Sequence, residues 1–275
     1  MKTTSQAIPA RLQLTDSVSH ATVGVVVRPR SPDFLPRLLQ AAAHVFARHG
    51  LKHARMADIA REMGVAHGSL YNYVESKEAL FLLLVERWGQ LESDLATRDL
   101  PIRTPSMQSI VTRLRQRVAE TFPLPALDAA LRRRRPEDAA RELEEIVREL
   151  FVRTEDSREG ATILERSAVD VPELYALFFE QVRQGLFDRM TRYLATRMQT
   201  GDFARADPAV TARFIIETVT FFARHRHLDP APPRFDDDTV RHSIVDLITR
   251  ALIHTSEGNR RRGHRPPRTA TKARS

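Results

Sequence analysis

Five of the seven side chains from His67 to Tyr73 can donate or accept a hydrogen bond: His67, Ser69, Tyr71, Asn72 and Tyr73. Val65 and Leu70 are placed to anchor such a segment, which leaves it little use beyond its outward polar face. A short helix of this kind fits the major groove of B-DNA, which admits one α-helix. Three other clusters could carry chemistry. Asp236, Asp237 and Asp238 could bind magnesium in an all-α enzyme using diphosphates. The better reading is that they cap free amides at a helix start and favour its dipole. His225 and His227 sit in "ARHRH", where basic groups suit the end of a helix. As metal ligands on one face they would need i, i+4 spacing. "LRRRR" at 131–135 precedes an acidic helix and reads as a solvated turn answered by Glu142, Glu144, Glu145 and Glu149. No phosphate-binding glycine loop, Ser-His-Asp set or paired carboxylates stand out, so neither catalysis nor a cofactor or metal is expected.

The elements that must position the 67–73 segment are readable from spacing. Ser31 and Pro32 suit the cap and first position of a helix whose Leu35, Leu38, Leu39, Ala42, Val45 and Phe46 fall on one face. Gly50 ends it. A second helix over 56–63 turns Ile59, Ala60 and Met63 inward, and Gly64 breaks it. Ser76 caps a long helix carrying Leu80, Phe81, Leu84, Val85, Trp88, Leu91 and Leu95, expected to end near Asp99. Two short helices meeting at Gly64 on a preceding helix make a helix-turn-helix. Further helices are expected near 106–121, 125–134, 137–153, 158–168, 172–199, 208–227 and 237–256, separated by Pro, Gly or Asp. No run of alternating strands appears, and the fold class is all-α.

The last two helices are apolar around much of their circumference. A helix of that kind needs cover on more than one side. Burial within one chain provides it, and so does a dimer seam in which Val210, Phe214, Phe221, Phe222, Ile244, Ile248 and Leu252 meet a second copy in a four-helix bundle.

The chain has 275 residues and is 42% hydrophobic, enough for a sizeable core, and it has no cysteine. It has no apolar run long enough for a membrane span and no export signal, so a cytoplasmic protein is expected. The formal charge of +8 sits at the ends. Lys2, Arg11, Arg28 and Arg30 against Asp16 make the first 30 residues basic, and Lys272 with six arginines against Glu257 do the same for 257–275. The middle is close to neutral, so bulk charge does not locate a DNA-binding face. The arginine-rich tail is expected to be disordered and to add salt-sensitive, non-specific DNA affinity at most.

The stretch from Ile59-Ala60 through Gly64-Val65, Gly68-Ser69-Leu70-Tyr71 and Tyr73-Val74 to Lys77 and Leu80 resembles the DNA-binding domain of the TetR family of transcriptional regulators. The likeness spans roughly residues 33–81. It implies that Tyr71 and Lys77 hold phosphates, while His67, Gly68, Ser69 and Tyr73 face bases or nearby backbone. Arg55 stands where the family often has a capping Thr or Ser, and Ala66 where Ser commonly starts the third helix. Each lost cap costs about 1 kcal/mol, and Arg55 can reach a phosphate instead. Val74 is smaller than the usual Phe.

The expected organisation is a disordered arm over 1–30, a helix-turn-helix domain over 31–80, a helical ligand-binding and dimerisation domain over 81–256, and the tail. The resemblance implies a homodimeric repressor on a palindromic operator, released when a small molecule enters the helical domain and shifts the helix opening at Ser76. Candidate lining residues are Trp88, Phe122, Phe151, Phe178 and Phe179. An architectural DNA-binding dimer without inducer is the other reading outside enzymology.

Overall fold

The computed structural model describes residues 33–88, 99–231 and 235–253. The expected arm, the Ser31-Pro32 start, Leu91, Leu95 and the basic tail lie outside these residues. Among the described residues the fold is all-α, with two isolated bridges, Val74 to Ile102 and Phe203 to Ile253, and no strand. No described helix is long and apolar enough to cross a membrane.

Helix α1 (Phe34–His53) buries the one-sided set Leu35, Leu38, Leu39, Ala42, Val45 and Phe46. Gly50 breaks its regular geometry at φ 67°, a conformation that favours glycine, before one last turn to His53. A Cβ at Gly50 would also lie 2.8 Å from the carbonyl oxygen of Arg166, so glycine permits the close approach of helix α7 (Arg158–Ala168). Beside that contact, the amide of Leu51 donates to Ser167 Oγ at 3.0 Å, and the same hydroxyl donates to Ile163 O at 2.7 Å. Helix α2 (Met56–Met63) ends in left-handed Gly64, whose amide reaches back to the carbonyls of Ala60 and Arg61. The expected short third helix is a 3₁₀ helix, His67–Asn72.

Helix α3 (Lys77–Arg87) begins where Ser76 Oγ accepts from Ala79 N at 3.2 Å. Its described part ends at Arg87, and the expected continuation toward Asp99 falls in 89–98, outside the described residues. Trp88 leaves helical geometry, and its carbonyl accepts from the buried Arg117 guanidinium. That charge-assisted bond satisfies the Trp88 carbonyl at the end of α3.

Helices α4 (Met107–Thr121), α5 (Pro125–Arg132), α6 (Ala139–Asp156) and α7 follow at the expected places. The expected helix over 172–199 is composite: α8 (Pro172–Tyr175), a π-helical stretch Ala176–Arg183 and α9 (Gln184–Thr200). Helix α10 (Pro208–Ala223) and a 3₁₀ turn, His225–Leu228, precede α11 (Asp237–Leu252).

Two cores result. The first joins α1, α2, the 3₁₀ helix and α3 to α4, α7 and α8, with Phe46 and Phe81 meeting edge to face at 5.5 Å. The second is built from α5, α6, α9, α10 and α11 around Phe151, Met190, Leu194, Ile215 and Ile248. It also buries charge. Arg197 is 0% exposed and donates to Glu142 at 2.8 Å and to the carbonyls of Ala130, Arg133 and Arg134.

Candidate nucleic-acid interface and an internal cavity

The 3₁₀ helix is held from beneath by Leu70, which is 0% exposed, and by Val74. Its other side is free: His67, Gly68 and Asn72 are exposed, Ser69 is half-buried, and Tyr71 is 42% exposed. The rings of His67 and Tyr71 meet edge to face at 5.2 Å, one turn apart, with the hydroxyl 3.4 Å from Nε2. Gly68 has open space where a Cβ would be, so nothing inside the chain requires a glycine there. Arg55 is exposed and makes no side-chain cap at the start of α2, and Ala66 makes none at the start of the 3₁₀ helix.

Two of the expected contact residues are placed otherwise. Tyr73 is buried, its ring stacked on Phe34 at 4.3 Å. It therefore holds the 3₁₀ helix to α1 rather than facing bases, and the small Val74 beside it leaves that role to the tyrosine ring. Lys77 donates from Nζ to Lys52 O at 2.8 Å and to Ala54 O at 3.1 Å. It ties the start of α3 to the end of α1, where a cation suits the negative dipole end. An ammonium has three donors, so one N–H is left for an outside acceptor.

The second feature is a cavity of about 420 Å³ between the two cores. Its wall includes Trp88, Val118, Phe122, Leu150, Leu164, Phe178, Val182, Leu186 and Ile216. The π-helical stretch contributes Phe178, Gln181, Val182 and Arg183; wide turns of this kind are rare and concentrate at functional sites. Of the five aromatic candidates, Trp88, Phe122 and Phe178 line it. Phe151 is instead wholly inside the second core, and Phe179 packs on Tyr175 and Phe178, both ring pairs at 4.9 Å.

The cavity has a polar end that sequence reasoning missed. Arg224 is 4% exposed there, donating to Glu165 at 2.5 Å and to His225 Nε2 at 2.7 Å. Burial, then the neighbouring Arg224 charge, hold His225 below its ordinary range, consistent with a neutral ring accepting from Arg224. Arg183 meets Glu217 at 2.5 Å. The inward stripe of α10, Ile216, Val219 and Ala223, leads three residues further to the buried Arg226, which does not line this cavity, and it gives no signal for Arg224. An arginine on a core stripe is a buried arginine.

A second cavity, about 580 Å³, shares Trp88 and Leu164 but is bordered by Arg87, Glu120, Arg153, Asp156 and Glu159. The acidic triplet is occupied structurally: Asp236 caps Thr239 N at 2.8 Å, Asp237 accepts from Arg226, and Asp238 pairs with Arg241. No group of three metal-ligating side chains is gathered among the described residues.

The expected seam divides. Val210, Phe214 and Phe221 are exposed on α10, and Leu247 joins them from α11. Ile244, Ile248 and Leu252 are buried in the chain's own second core, and Phe222 packs partly against it. They face inward because Val240, Ile244, Ile248 and Leu252 form the stripe that meets α6 and α10.

The helix-turn-helix, anchored from below and polar above, defines a DNA-binding protein with a helical body. Residues 38–84 match the family described as bacterial regulatory proteins, tetR family. By this match residues 38–84 form a TetR-type DNA-binding segment. No curated protein sequence gives a significant match. Among solved structures it is similar to AibR in complex with isovaleryl coenzyme A and operator DNA, at 17% identity over 78% of this chain and 96% of that one, TM-score 0.47. It is similar to a tetR-family regulator from Rhodococcus RHA1, at 17% identity over 82% and 100%, TM-score 0.48. FadR from Bacillus subtilis in complex with stearoyl-CoA aligns at 16% identity over 80% and 99%, TM-score 0.41.

Proposed function

We propose that the chain is a homodimeric repressor that reads a palindromic operator and is released by a small molecule. The carrying observation is the 3₁₀ helix that buries Leu70 and leaves His67, Gly68, Ser69 and Tyr71 on an outward face. Tyr71 offers its hydroxyl to a phosphate, His67 and Ser69 meet base edges, and Gly68 lets backbone come close to the groove floor. Arg55 adds a phosphate contact from the start of α2. Lys77 acts first as a strut and second, through its remaining N–H, as a phosphate donor. In a two-fold dimer the two reading helices lie about 34 Å apart. Val210, Phe214 and Phe221 with Leu247 supply the seam. On this reading residues 31–80 bind DNA and 81–256 sense and dimerise.

The cavity supports a sensor over a purely architectural dimer. At about 420 Å³, mostly apolar with a few polar groups, it has the character of a small-molecule site. A ligand there touches α7, which carries the Gly50 and Ser167 contacts to α1, and Trp88 at the end of α3. Both routes lead to the reading helix, so a ligand favouring one arrangement lowers DNA affinity, and DNA lowers ligand affinity equally.

The test is a gel shift with the segment upstream of the chain's own gene. Tyr71→Phe is expected to weaken binding at least tenfold, the scale of about 1.5–3 kcal/mol for a hydrogen bond to a charged group. Ser69→Ala should relax sequence preference. Equal affinity for wild type and both variants removes the assignment. Sedimentation of Phe221→Glu and Leu247→Glu tests the seam, and an intact dimer in both refutes it.

A further inference from the structure

The cavity's polar end carries an unmet demand. Arg224 is buried to 4% exposure, and its Nε has no hydrogen-bond partner among the described residues, although its Nη2 is engaged by Glu165 and His225. Trp88 Nε1, on the same cavity's wall, is likewise buried without a partner. A buried donor left unmade is costly, so two around one cavity call for an acceptor that the described residues do not supply.

Charge points the same way. Arg189 is matched by Asp128 at 2.5 Å and Arg224 by Glu165. Arg183 and Arg213 share one carboxylate, Glu217, at 2.5 and 2.9 Å. With His225 neutral, these ion pairs leave one positive charge in excess, carried by Arg213, which is 58% exposed and reaches the cavity only through the Glu217 it shares with Arg183.

We propose that the effector of this regulator is a small carboxylic acid with an apolar body, its monoanionic head at Arg224 and its body among Phe122, Phe178 and Ile216. The assignment rests on the sensor reading above and adds the chemical class. A carboxylate supplies acceptor lone pairs for Arg224 Nε and cancels one charge. An alcohol of the same body cancels none, and an amine adds a second uncompensated cation.

The full-length protein should be titrated with octanoate against octan-1-ol and with 4-phenylbutyrate against 4-phenylbutan-1-ol, following emission of Trp88, the sole tryptophan. At least one acid is expected to bind tenfold or more tightly than its alcohol. Removing the Arg224 charge alone strands Glu165, so the informative variant is the double Arg224→Gln/Glu165→Gln, whose acid preference should fall below threefold. Arg213→Gln, at a side chain 58% exposed, keeps the cavity wall intact and should weaken the acids severalfold while sparing the alcohols. Alcohols binding as well as acids, no binding by any of the four, or an unchanged preference in the double variant each overturns the proposal. Gel shifts with the same compounds separate the two ideas. An acid that binds without loosening the operator complex leaves the class standing and sinks the sensor reading. Release from the operator by the alcohols alone does the reverse.

Discussion

The helices that present His67–Asn72 and the helices beyond the cavity bury their interiors in different ways. Around α1, α2 and α3 the interior is made of Leu, Ile, Val, Ala, Met and Phe with the Tyr73 ring, and the buried arginine near it, Arg117 of α4, meets the end of α3 at Trp88 O. In the second core, Arg197 closes the end of α5 by donating to Ala130 O within it and to Arg133 O and Arg134 O just beyond it, and Arg226 joins the end of α10 to the start of α11 through Phe222 O and Asp237. An apolar interior holds a surface in one shape by volume. An interior strung on guanidinium groups is sensitive to charge, which suits the ligand response proposed for this region.

The comparison breaks most sharply at Arg197. Arg197→Ala leaves Glu142 buried and unpaired, and about 3–5 kcal/mol of unfolding free energy should be lost, read by chemical denaturation. The double change Arg197→Met with Glu142→Leu should restore most of it; a double variant as unstable as the single would mean that the arginine acts by volume. In the first core size should decide instead. Leu70→Ala is expected to cost about 2–5 kcal/mol, whereas Leu70→Met should cost under about 1.5 kcal/mol. A methionine variant as damaged as the alanine one would erase the contrast.

Ser167→Ala, at the junction of the two behaviours, strands the amide of Leu51 and should cost about 1–3 kcal/mol. Because it loosens α1 from α7, DNA affinity should change more than in an equally destabilised second-core variant. The smallest effect concerns pH. Folding depresses the proton affinity of His225, chiefly by burial, so the unfolded chain takes up its proton first as pH falls. Stability from this group is present above the ordinary histidine value near 6.5 and declines below it until the lower folded-state value is passed. His227, depressed for the same leading reason, adds to the trend. Thermal melts of His225→Gln between pH 7.5 and 5 should show a shallower decline; an identical one would remove His225 from the account.

Much of the architecture was legible because apolar periodicity and caps are local. Ser76, Gly64, Gly50 and the inward stripe of α1 all do what their residue types suggest. Tyr71 and Tyr73 show where the reading ran out. They lie two residues apart and look alike on paper, yet one is on the surface and the other under Phe34, because the 3₁₀ geometry and the partner on α1 decide the side. The bond that meets Trp88 O comes from Arg117, 29 residues away, and the cavity depended on a π-helical stretch that helical spacing does not announce. Arg224 was legible only in part. It stood in a basic cluster that suited a helix end, and its burial is set by Glu165 from another helix.

One consequence of the Gly50 and Ser167 contact concerns the exchange of parts between regulators. The floor beneath α1, α2 and α3 includes Ile163, Leu164, Ala168, Leu174 and Leu177, residues far along the chain. A chimera joined after residue 80 would carry the reading surface to a new host and leave that floor behind. The unit that can be transplanted follows the shared interior, so a graft must bring α7 and α8 with the head or match their shape in the recipient.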